Sequence, residues 1–318
     1  MSQNSLVKSN TLAGETRPRF RFRNSKAFWA YVFVSPVMLF LVVFVLIPII
    51  FTMWVSVHDW NLITPVAQME WVGLENYLYI LTQDLVFDAA LRNTFVFAIA
   101  GVGINTILGM MGALLLNSNI RLKTFWRTIF FLPIVTAPLA LGMMWVTLLN
   151  KNFGLVNTIL SSLHIPPQPF LSSPDQALAC IIGVAVYQNV GYYIIVYTAG
   201  LQGIPQEFYD ASAVDGANPW QTFWNITLPL LRPVLLFLIV TNSIGALQVF
   251  DLVFATTTGG AETSGGGPAN STMVVVLHMY NNAFKFFRMG RASAMAMILF
   301  AIIFIITLLQ LRLLRERE

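Results

Sequence analysis

The chain contains 318 residues, of which 57% are hydrophobic and only 10% are charged. A soluble globular domain carries about 25% charged residues, so this composition excludes a cytosolic enzyme, a disordered regulator and a disulfide-rich scaffold. The single cysteine, Cys180, cannot form an internal disulfide, and three histidines leave little for a His/Cys metal site. The composition predicts a polytopic membrane protein of the all-α class.

Apolar runs along the chain predict a bundle of six membrane-spanning helices. A helix needs about 20 mostly apolar residues to cross a hydrocarbon core about 30 Å thick. The predicted spans are residues 27–57, 93–120, 128–150, 176–203, 233–255 and 292–311. The fifth span is short unless it is extended past Asp251, so we expect this carboxylate to face a partner helix or a water-filled cavity rather than lipid. Residues 27–311 together form the predicted transmembrane domain.

The distribution of positive charge predicts that both termini are cytoplasmic. Most of the 18 Lys and Arg residues lie in the N-terminal tail 1–26, around Arg121 and in the C-terminal tail 312–318. Cytoplasmic segments carry the excess of Lys and Arg in membrane proteins, and six spans return the chain to its starting side. The basic segment 285–291 departs from this rule. The first apolar run is too long for a cleaved signal peptide and is expected to remain as a signal anchor.

The predicted cytoplasmic segment 204–232 is acidic, and its pattern is that of two short helices. Pro205 can open the first helix, and Gly216 is placed to end it. Asn218 followed by Pro219 predicts a second helix with an asparagine N-cap and a proline at its first helical position. The segment therefore predicts a stiff helical hairpin that projects into the cytoplasm.

The second helix of this hairpin carries an aromatic stripe that includes Trp220 and Trp224. Pro229 is expected to stop the helix. Exposed aromatic surface is typical of a contact with another protein, although an amphipathic hairpin that lies on lipid headgroups has the same pattern. Patterning alone leaves both interpretations open.

The residue order of this hairpin resembles the EAA signature of binding-protein-dependent ABC importer permeases. The signature reads Glu-Ala-Ala, three residues, Gly, nine residues, Ile, one residue and Leu-Pro. Here Asp210-Ala211-Ser212 is followed at the same spacing by Gly216 and then by Ile226-Thr227-Leu228-Pro229. The two departures, Asp for Glu and Ser for the second Ala, preserve the carboxylate and the small side chain.

The resemblance implies a type I ABC importer permease fold and makes segment 204–232 the coupling loop that docks in a groove of the ATPase subunit. The residues implied at that contact are Glu207, Asp210, Ala211, Ser212, Gly216, Ile226 and Pro229. The implied partners are a second homologous permease, a cytoplasmic ATPase dimer and an extracytoplasmic solute-binding protein. The implied location is the plasma membrane of a bacterium or archaeon, which is the inner membrane in a Gram-negative cell. The chain itself is then non-catalytic, with no cofactor and no metal, because ATP is hydrolysed in a separate subunit.

Two further passages resemble the carbohydrate branch of that family, the maltose-type sugar permeases. In the first, Asp251-Leu252 leads to Thr258-Gly259-Gly260, and in the second, Arg288-Met289-Gly290 precedes the last span. This resemblance implies a carbohydrate cargo. The glycine-rich stretch 259–267 lacks the Gly-Lys-Ser/Thr ending of a phosphate loop and lies on the wrong side of the membrane for ATP.

Polar side chains in the fourth and fifth spans are the candidates for the cargo pathway, because intramembrane polar groups are costly and usually functional. Amides and carboxylates can bind sugar hydroxyls, and aromatic rings can pack on the apolar faces of a pyranose. The candidates are Gln188, Asn189, Tyr192, Gln248 and Asp251. The resemblance places the first three where maltose-type permeases line the sugar site.

The alternative for these amides is a structural role, since Asn and Gln commonly form hydrogen bonds between membrane helices. We favour that role for Asn105 and Asn242. For Gln188, Asn189 and Tyr192 the cargo pathway is favoured, and Asp251 could instead pair with a cation of a neighbouring subunit.

Three other functions compete with the carbohydrate importer. A membrane-embedded glycosyltransferase needs an acidic or His-containing cluster at one face of the membrane, and the acids on the predicted outer side are scattered. A stand-alone channel or secondary transporter does not explain the cytoplasmic helical hairpin. An importer of glycerol 3-phosphate would need Lys or Arg facing the cavity. The basic pI near 9.3 follows from the membrane topology, so no nucleic-acid partner is predicted.

Overall fold

The computed structural model of the protein describes residues 26–118, 121–258 and 265–315. The predicted cytoplasmic tail 1–26 lies almost entirely outside the described residues. The last three residues of the predicted tail 312–318 and most of the glycine-rich stretch 259–267 also lie outside them.

The described parts of the chain are mainly helical. The α-helices in these ranges are, in chain order, α1 (Lys26–Leu41), α2 (Ile47–Ser56), α3 (Glu75–Thr82), α4 (Leu85–Asn117), α5 (Lys123–Val135), α6 (Pro138–Leu148), α7 (Leu155–Ser162), α8 (Pro174–Gln202), α9 (Gln206–Val214), α10 (Pro219–Thr222), α11 (Leu228–Leu230), α12 (Arg232–Leu247), α13 (Asp251–Thr258), α14 (Val275–Tyr280) and α15 (Met289–Arg315). Two short strands, β1 (His58–Asp59) and β2 (Glu70–Trp71), pair antiparallel with His58 opposite Trp71.

Four helical stretches are long and apolar enough to cross a membrane, and there are up to six if each of two bent pairs counts as one span. The four are Phe28–Ser56, Leu85–Asn117, Pro174–Gln202 and Met289–Arg312. They correspond to the first, second, fourth and sixth predicted spans. The all-α class and a membrane-spanning bundle of up to six spans are therefore confirmed.

The chain divides into two units, residues 1–51 and 52–318. In the first unit, α1 continues through a π-helical turn, Val42–Leu46, into the start of α2. Every described side chain from residue 28 to residue 51 is exposed. The π-helical turn ends just before Pro48, which has no backbone N–H to donate to the preceding turn.

The second predicted span begins earlier than its sequence indicated. Helix α4 starts at Leu85 rather than at residue 93, because the carboxylate of Asp84 accepts hydrogen bonds from the backbone N–H groups of Val86 and Phe87. This N-cap satisfies two of the donors that a helix start leaves unpaired. The charged residue Arg92 therefore lies inside the helix.

The third predicted span, residues 128–150, is not one continuous helix. Helices α5 and α6 meet at an angle of 100°. Thr136 and Ala137 are extended, with ψ angles of 131° and 133°. Ala137 precedes Pro138, and a residue before proline is driven out of the helical region by the proline ring. The chain therefore breaks here instead of bending gently.

The helix of the fifth predicted span, residues 233–255, is likewise interrupted. Helix α12 ends at Leu247 and α13 begins at Asp251. Asp251 lies in the first turn of α13, where the positive end of the helix dipole stabilises a carboxylate. The break thus places the charge at a helix N-terminus instead of in the middle of a span.

The core of the second unit forms where α4 packs along α8. Gly109 makes this approach possible, because a Cβ atom at its position would overlap the Cβ atom of Tyr193. One apolar cluster surrounds Tyr193 and Tyr197 and includes residues of α4, α8 and α12. A second, larger cluster joins α4, α8, α13, α14 and α15.

Candidate functional site

A polar cavity of about 450 Å³ lies among α4, α6, α8, α12 and α13. Its volume is within the range of small-molecule sites. Four of the five residues predicted for the cargo pathway line it: Gln188, Asn189, Gln248 and Asp251. Residues from separate spans therefore meet at one place, although whether cargo contacts them stays a prediction.

Gln188 and Asn189 come from the middle of α8 and make different hydrogen bonds. The side-chain Nε2 of Gln188 donates to the carbonyl of Thr136 at 3.1 Å, in the break between α5 and α6. The side-chain Nδ2 of Asn189 donates to the carbonyl of Ala185 at 2.8 Å, within its own helix. Gln188 therefore has a structural bond to another element as well as a place at the cavity.

Gln248 and Asp251 reach the cavity from the break between α12 and α13. Both residues are exposed. Among the described residues that line the cavity, Asp251 is the only ionisable one, and none of them is Lys or Arg. The lining that the structure describes thus has one carboxylate and no positive side chain.

Tyr192, the fifth predicted pathway residue, is not among the residues that line this cavity. It packs against the apolar cluster around Tyr193 and Tyr197. Gln188 and Tyr192 are one helical turn apart on α8. The sequence could not show that the cavity extends along α8 to Asn189 but not to Tyr192.

Asn242 lines the cavity, whereas the sequence favoured an interhelical hydrogen bond for it. Its Nδ2 donates to the carbonyl of Leu238 at 2.9 Å, within α12, so this bond does not join two helices. The structural role favoured for Asn242 stays a prediction. Asn105 is buried on α4, as a packing residue would be.

Phe250 forms the apolar wall of the cavity and belongs to an aromatic cluster. Its ring lies 5.2 Å from the ring of Phe254 and 5.2 Å from the ring of Tyr280. Phe250 also lines a second, smaller cavity of about 240 Å³. The polar cavity therefore offers amides, a carboxylate and an aromatic ring together.

The hairpin over residues 204–232, which we call the coupling finger, begins with the predicted helix α9. This helix ends at Val214, and Gly216 follows with a φ of +75°. The N–H of Gly216 donates to the carbonyl of Ala213, and the N–H of Ala217 donates to that of Ser212. This pair of bonds is the Schellman ending that glycine favours, so the predicted role of Gly216 as a helix stop is confirmed.

The second helix of the coupling finger starts as predicted. Asn218 forms a capping box with Gln221 and Pro219 occupies the first turn. The prediction that Pro229 stops the helix is wrong, because helical structure continues to Leu230. A π-helical segment, Phe223–Thr227, comes just before Pro229, and its wider turn accommodates a residue that cannot donate to the preceding turn.

The residues predicted to meet an ATPase differ in exposure. Glu207, Asp210, Ala211, Gly216 and Pro229 are exposed, while Ile226 is half-buried and Ser212 is buried.

Ser212 instead connects the two halves of the coupling finger. Its Oγ donates to the carbonyl of Tyr209 at 2.8 Å and lies 3.4 Å from the hydroxyl of Thr222. The hydroxyl of Tyr209 lies 3.4 Å from that of Thr227. The small side chain at position 212 is therefore explained by contacts inside the coupling finger.

The aromatic stripe of the coupling finger lines an apolar groove of about 1060 Å³ shared with α4. Trp220, Phe223 and Trp224 lie on one side, and Ile107 and Met111 of α4 lie on the other. The acidic residues of α9 do not line this groove. The coupling finger thus has an aromatic side next to a membrane helix and a separate, exposed acidic surface.

Helix α8 connects the cavity to the coupling finger. It carries Gln188 and Asn189 and continues unbroken to Gln202, after which Gly203-Ile204-Pro205 leads into α9. At 1.5 Å per residue, the distance along the helix from Gln188 to Gln202 is about 21 Å. One continuous helix therefore joins the residues of the cavity to the start of the coupling finger.

Residues 105–317 match the family described as the binding-protein-dependent transport system inner membrane component. This range contains the residues of α8, α12 and α13 that line the cavity, together with the whole coupling finger. The chain belongs to this family. It is an inner-membrane permease component and not an enzyme.

Relatives with known names match almost the whole chain. The trehalose/maltose transport system permease protein MalF of Thermococcus litoralis is 31% identical over 303 residues, which is 94% of this chain and 97% of the relative. The multiple sugar-binding transport system permease protein MsmF of Streptococcus mutans is 34% identical over 291 residues, which is 92% of this chain and 97% of the relative.

The fold is that of a solved importer. A chain in the crystal structure of a bacterial ABC transporter involved in the import of the acidic polysaccharide alginate superposes with a TM-score of 0.77 at 22% sequence identity. The match covers 92% of this chain and 96% of that one. The predicted ABC importer permease fold is thus confirmed.

Proposed function

We propose that this chain is the permease subunit of an ATP-driven importer of a neutral carbohydrate. It forms half of the translocation pathway, and a second homologous permease forms the other half. A cytoplasmic ATPase dimer binds the coupling finger, and an extracytoplasmic solute-binding protein delivers the sugar. The observation that carries the proposal is the continuous helix α8, which joins a polar cavity at Gln188 to an exposed acidic hairpin.

The chemistry of the cavity favours a neutral polyhydroxyl cargo. The amides of Gln188, Asn189 and Asn242 can donate to and accept from hydroxyl groups, and Phe250 offers an apolar ring face. Asp251 can accept hydrogen bonds from hydroxyls but repels an anion. Because no Lys or Arg is found among the described residues of the cavity lining, glycerol 3-phosphate fits it less well. The names of the two sugar-permease relatives support the same cargo class.

The coupling finger has the features of a docking element for a separate motor protein. The exposed carboxylates Glu207 and Asp210 lie on α9, which is held to the second helix by Ser212. The binding of ATP and the docking of the loaded solute-binding protein must favour the same conformation, since coupling is reciprocal. A rigid α8 between the two sites satisfies this requirement.

The experiment that tests the docking role is a charge reversal, Asp210→Arg. The side chain is exposed and accepts one hydrogen bond, from Gln206 at 3.2 Å, so the substitution does not disturb a core. We expect the amount of ATPase subunit that copurifies with the chain to fall about tenfold or more, because a reversed charge loses its attraction to the partner and like charges at an interface cost several kcal/mol.

The matched control is Asp175→Arg, a reversal at an exposed position in the first turn of α8, at the end opposite the coupling finger. It should leave copurification of the ATPase subunit unchanged. If Asp210→Arg also retains the ATPase fully, the acidic surface is not the docking site. In that case the hairpin that lies on lipid headgroups becomes the better interpretation.

A further inference from the structure

A small cavity of about 200 Å³ lies where the ends of α4, α5 and α8 meet, away from both sites described above. Its lining includes Leu116, Arg127, Phe130, Thr198 and Gln202. None of its lining residues lines the polar cavity or the groove of the coupling finger. It is therefore a separate site.

The polar groups in this cavity match the chemistry of a phosphate. Of the described residues in its lining, Arg127 is the only ionisable one, and none is Asp or Glu. The guanidinium group of Arg127 offers several N–H donors in a fork that fits phosphate oxygens, and the amide of Gln202 offers two more. Lys123 precedes Arg127 by one turn of α5, which adds positive potential at the same end.

The rest of the cavity wall is apolar. Leu116, Phe130, Ile194 and Ile195 supply hydrocarbon surface, and the side chain of Ile195 is 42% exposed. Free phosphate has no apolar part that could use this surface. A phospholipid has acyl chains directly below its phosphate, so it can use both parts of the site.

The position of the cavity agrees with this ligand. The orientation predicted from the distribution of Lys and Arg places the start of α5 and the end of α8 at the cytoplasmic side of the membrane. Anionic lipids of the cytoplasmic leaflet concentrate at that depth, and basic pockets between membrane helices bind their headgroups. Arg127 lies about 6 Å along α5 from Lys123, close to the level of the headgroups.

We propose that this cavity binds the phosphate headgroup of an anionic phospholipid from the cytoplasmic leaflet. The bound lipid joins Arg127 of α5 to Gln202, the last residue of α8. These two helices already touch closely, since a Cβ atom at Gly191 would overlap the carbonyl of Phe130. Lipid binding therefore holds the end of α8 from which the coupling finger emerges.

The test measures the thermal unfolding of the purified complex in detergent with added dioleoyl phosphatidylglycerol, dioleoyl phosphatidylcholine or inorganic phosphate at equal concentration. We expect phosphatidylglycerol to raise the unfolding midpoint of the unmodified complex by about 3 °C or more. Phosphatidylcholine and inorganic phosphate should raise it by less than a third of that amount.

The variant Arg127→Gln should lose most of the rise, and Arg127→Lys should keep part of it. The control Arg312→Gln removes an exposed cation of α15, also on the predicted cytoplasmic side, and should keep the full rise. If the Arg127→Gln protein is not produced in sufficient amount, the variant Gln202→Leu is tested in its place. It should lose at least half of the rise in the unfolding midpoint.

Two results would overturn the proposal. In the first, the Arg127 variants respond to phosphatidylglycerol as the unmodified complex does, so the lipid acts elsewhere. In the second, inorganic phosphate gives the same rise as the lipid, so the ligand is a free anion. Neither result bears on the docking of the ATPase or on the cargo cavity, so the proposed function would stand.

Discussion

Gln188 and Asn189 are neighbours in the chain and line the same cavity, but their amide groups are held in different ways. Gln188 donates to Thr136 across the break between α5 and α6, while Asn189 donates within α8. Thr136 is exposed, and an ordinary hydrogen bond contributes about 0.5–1.5 kcal/mol to stability. The two residues therefore differ in how much of their effect is structural.

Replacing each amide by leucine separates the two roles. Asn189→Leu should change the rate or cargo range of uptake with little change in thermal stability. Gln188→Leu should change uptake and also destabilise the chain by about 0.5–1.5 kcal/mol, because its hydrogen bond to the Thr136 carbonyl is lost. Uptake kinetics and unfolding midpoints of both variants provide the measurement.

The control for this pair is Asn105→Leu, which removes a buried amide of α4 outside the cavity. It should affect stability without altering the uptake rate per assembled complex. Unchanged uptake kinetics in both cavity variants would show that Gln188 and Asn189 have a purely structural role.

Asp84 makes contacts that no local sequence pattern indicates. One carboxylate oxygen caps α4, and the other lies 2.9 Å from Nε2 of His278. The side chains of Asp84 and His278 are 10% and 7% exposed. Since these residues are far apart in the sequence, the pairing depends on the packing of α14 against α4.

The variant Asp84→Ala should therefore destabilise the chain by about 2 kcal/mol or more, through loss of the N-cap and of a carboxylate that is hydrogen-bonded to the buried His278. The matched control is Asp88→Ala, which removes an exposed acid of the first turn of the same helix and should cost less than about 0.5 kcal/mol. Thermal unfolding in detergent measures both, and equal midpoints would contradict this account of Asp84.

Among the helical elements, the coupling finger was the most predictable from sequence. Its signals are local: Gly216 supplies the positive φ, and Asn218 with Pro219 starts the next helix. The breaks inside the third and fifth spans were not predictable in the same way. Pro138 marks the position of a break, but the 100° angle depends on contacts between distant segments, such as the bond from Gln188 to Thr136.

Gly216 offers a test of the geometry of the coupling finger. No atom lies within 4 Å of a Cβ placed there, so a side chain would meet no steric obstacle inside the chain. The positive φ still costs an ordinary residue about 1–2 kcal/mol, while asparagine tolerates it. Gly216→Leu should reduce ATPase copurification and uptake about tenfold, and Gly216→Asn should retain most of both.

Membrane insertion, measured by the amount of each variant in the membrane fraction, should be normal for the two Gly216 variants. Full transport activity in Gly216→Leu would show that the shape of this turn does not matter for coupling. Equal loss in both variants would assign the effect to the bulk of any side chain at the docking surface and not to the backbone.

For the whole molecule, hydropathy predicted the positions of the membrane helices along the sequence well. It did not predict the breaks and bends within them. Long apolar runs identified Leu85–Asn117, Pro174–Gln202 and Met289–Arg312 because burial in lipid requires continuous helices. The cavity was only partly predictable. Polar residues inside a span can be recognised in the sequence, because burying them in the membrane costs free energy. Whether such a residue faces the cavity depends on how the helices pack, as Tyr192 and Asn242 show.

We propose that movement of the coupling finger by a separate ATPase opens the cavity to sugar. The most direct measurement is uptake by proteoliposomes that contain the purified complex, with the cognate solute-binding protein and its labelled sugar outside and ATP inside. The account predicts accumulation that requires ATP and the binding protein, and that falls about tenfold with Asp210→Arg. Sugar entry that proceeds equally without ATP, without the binding protein and in the variant would contradict it.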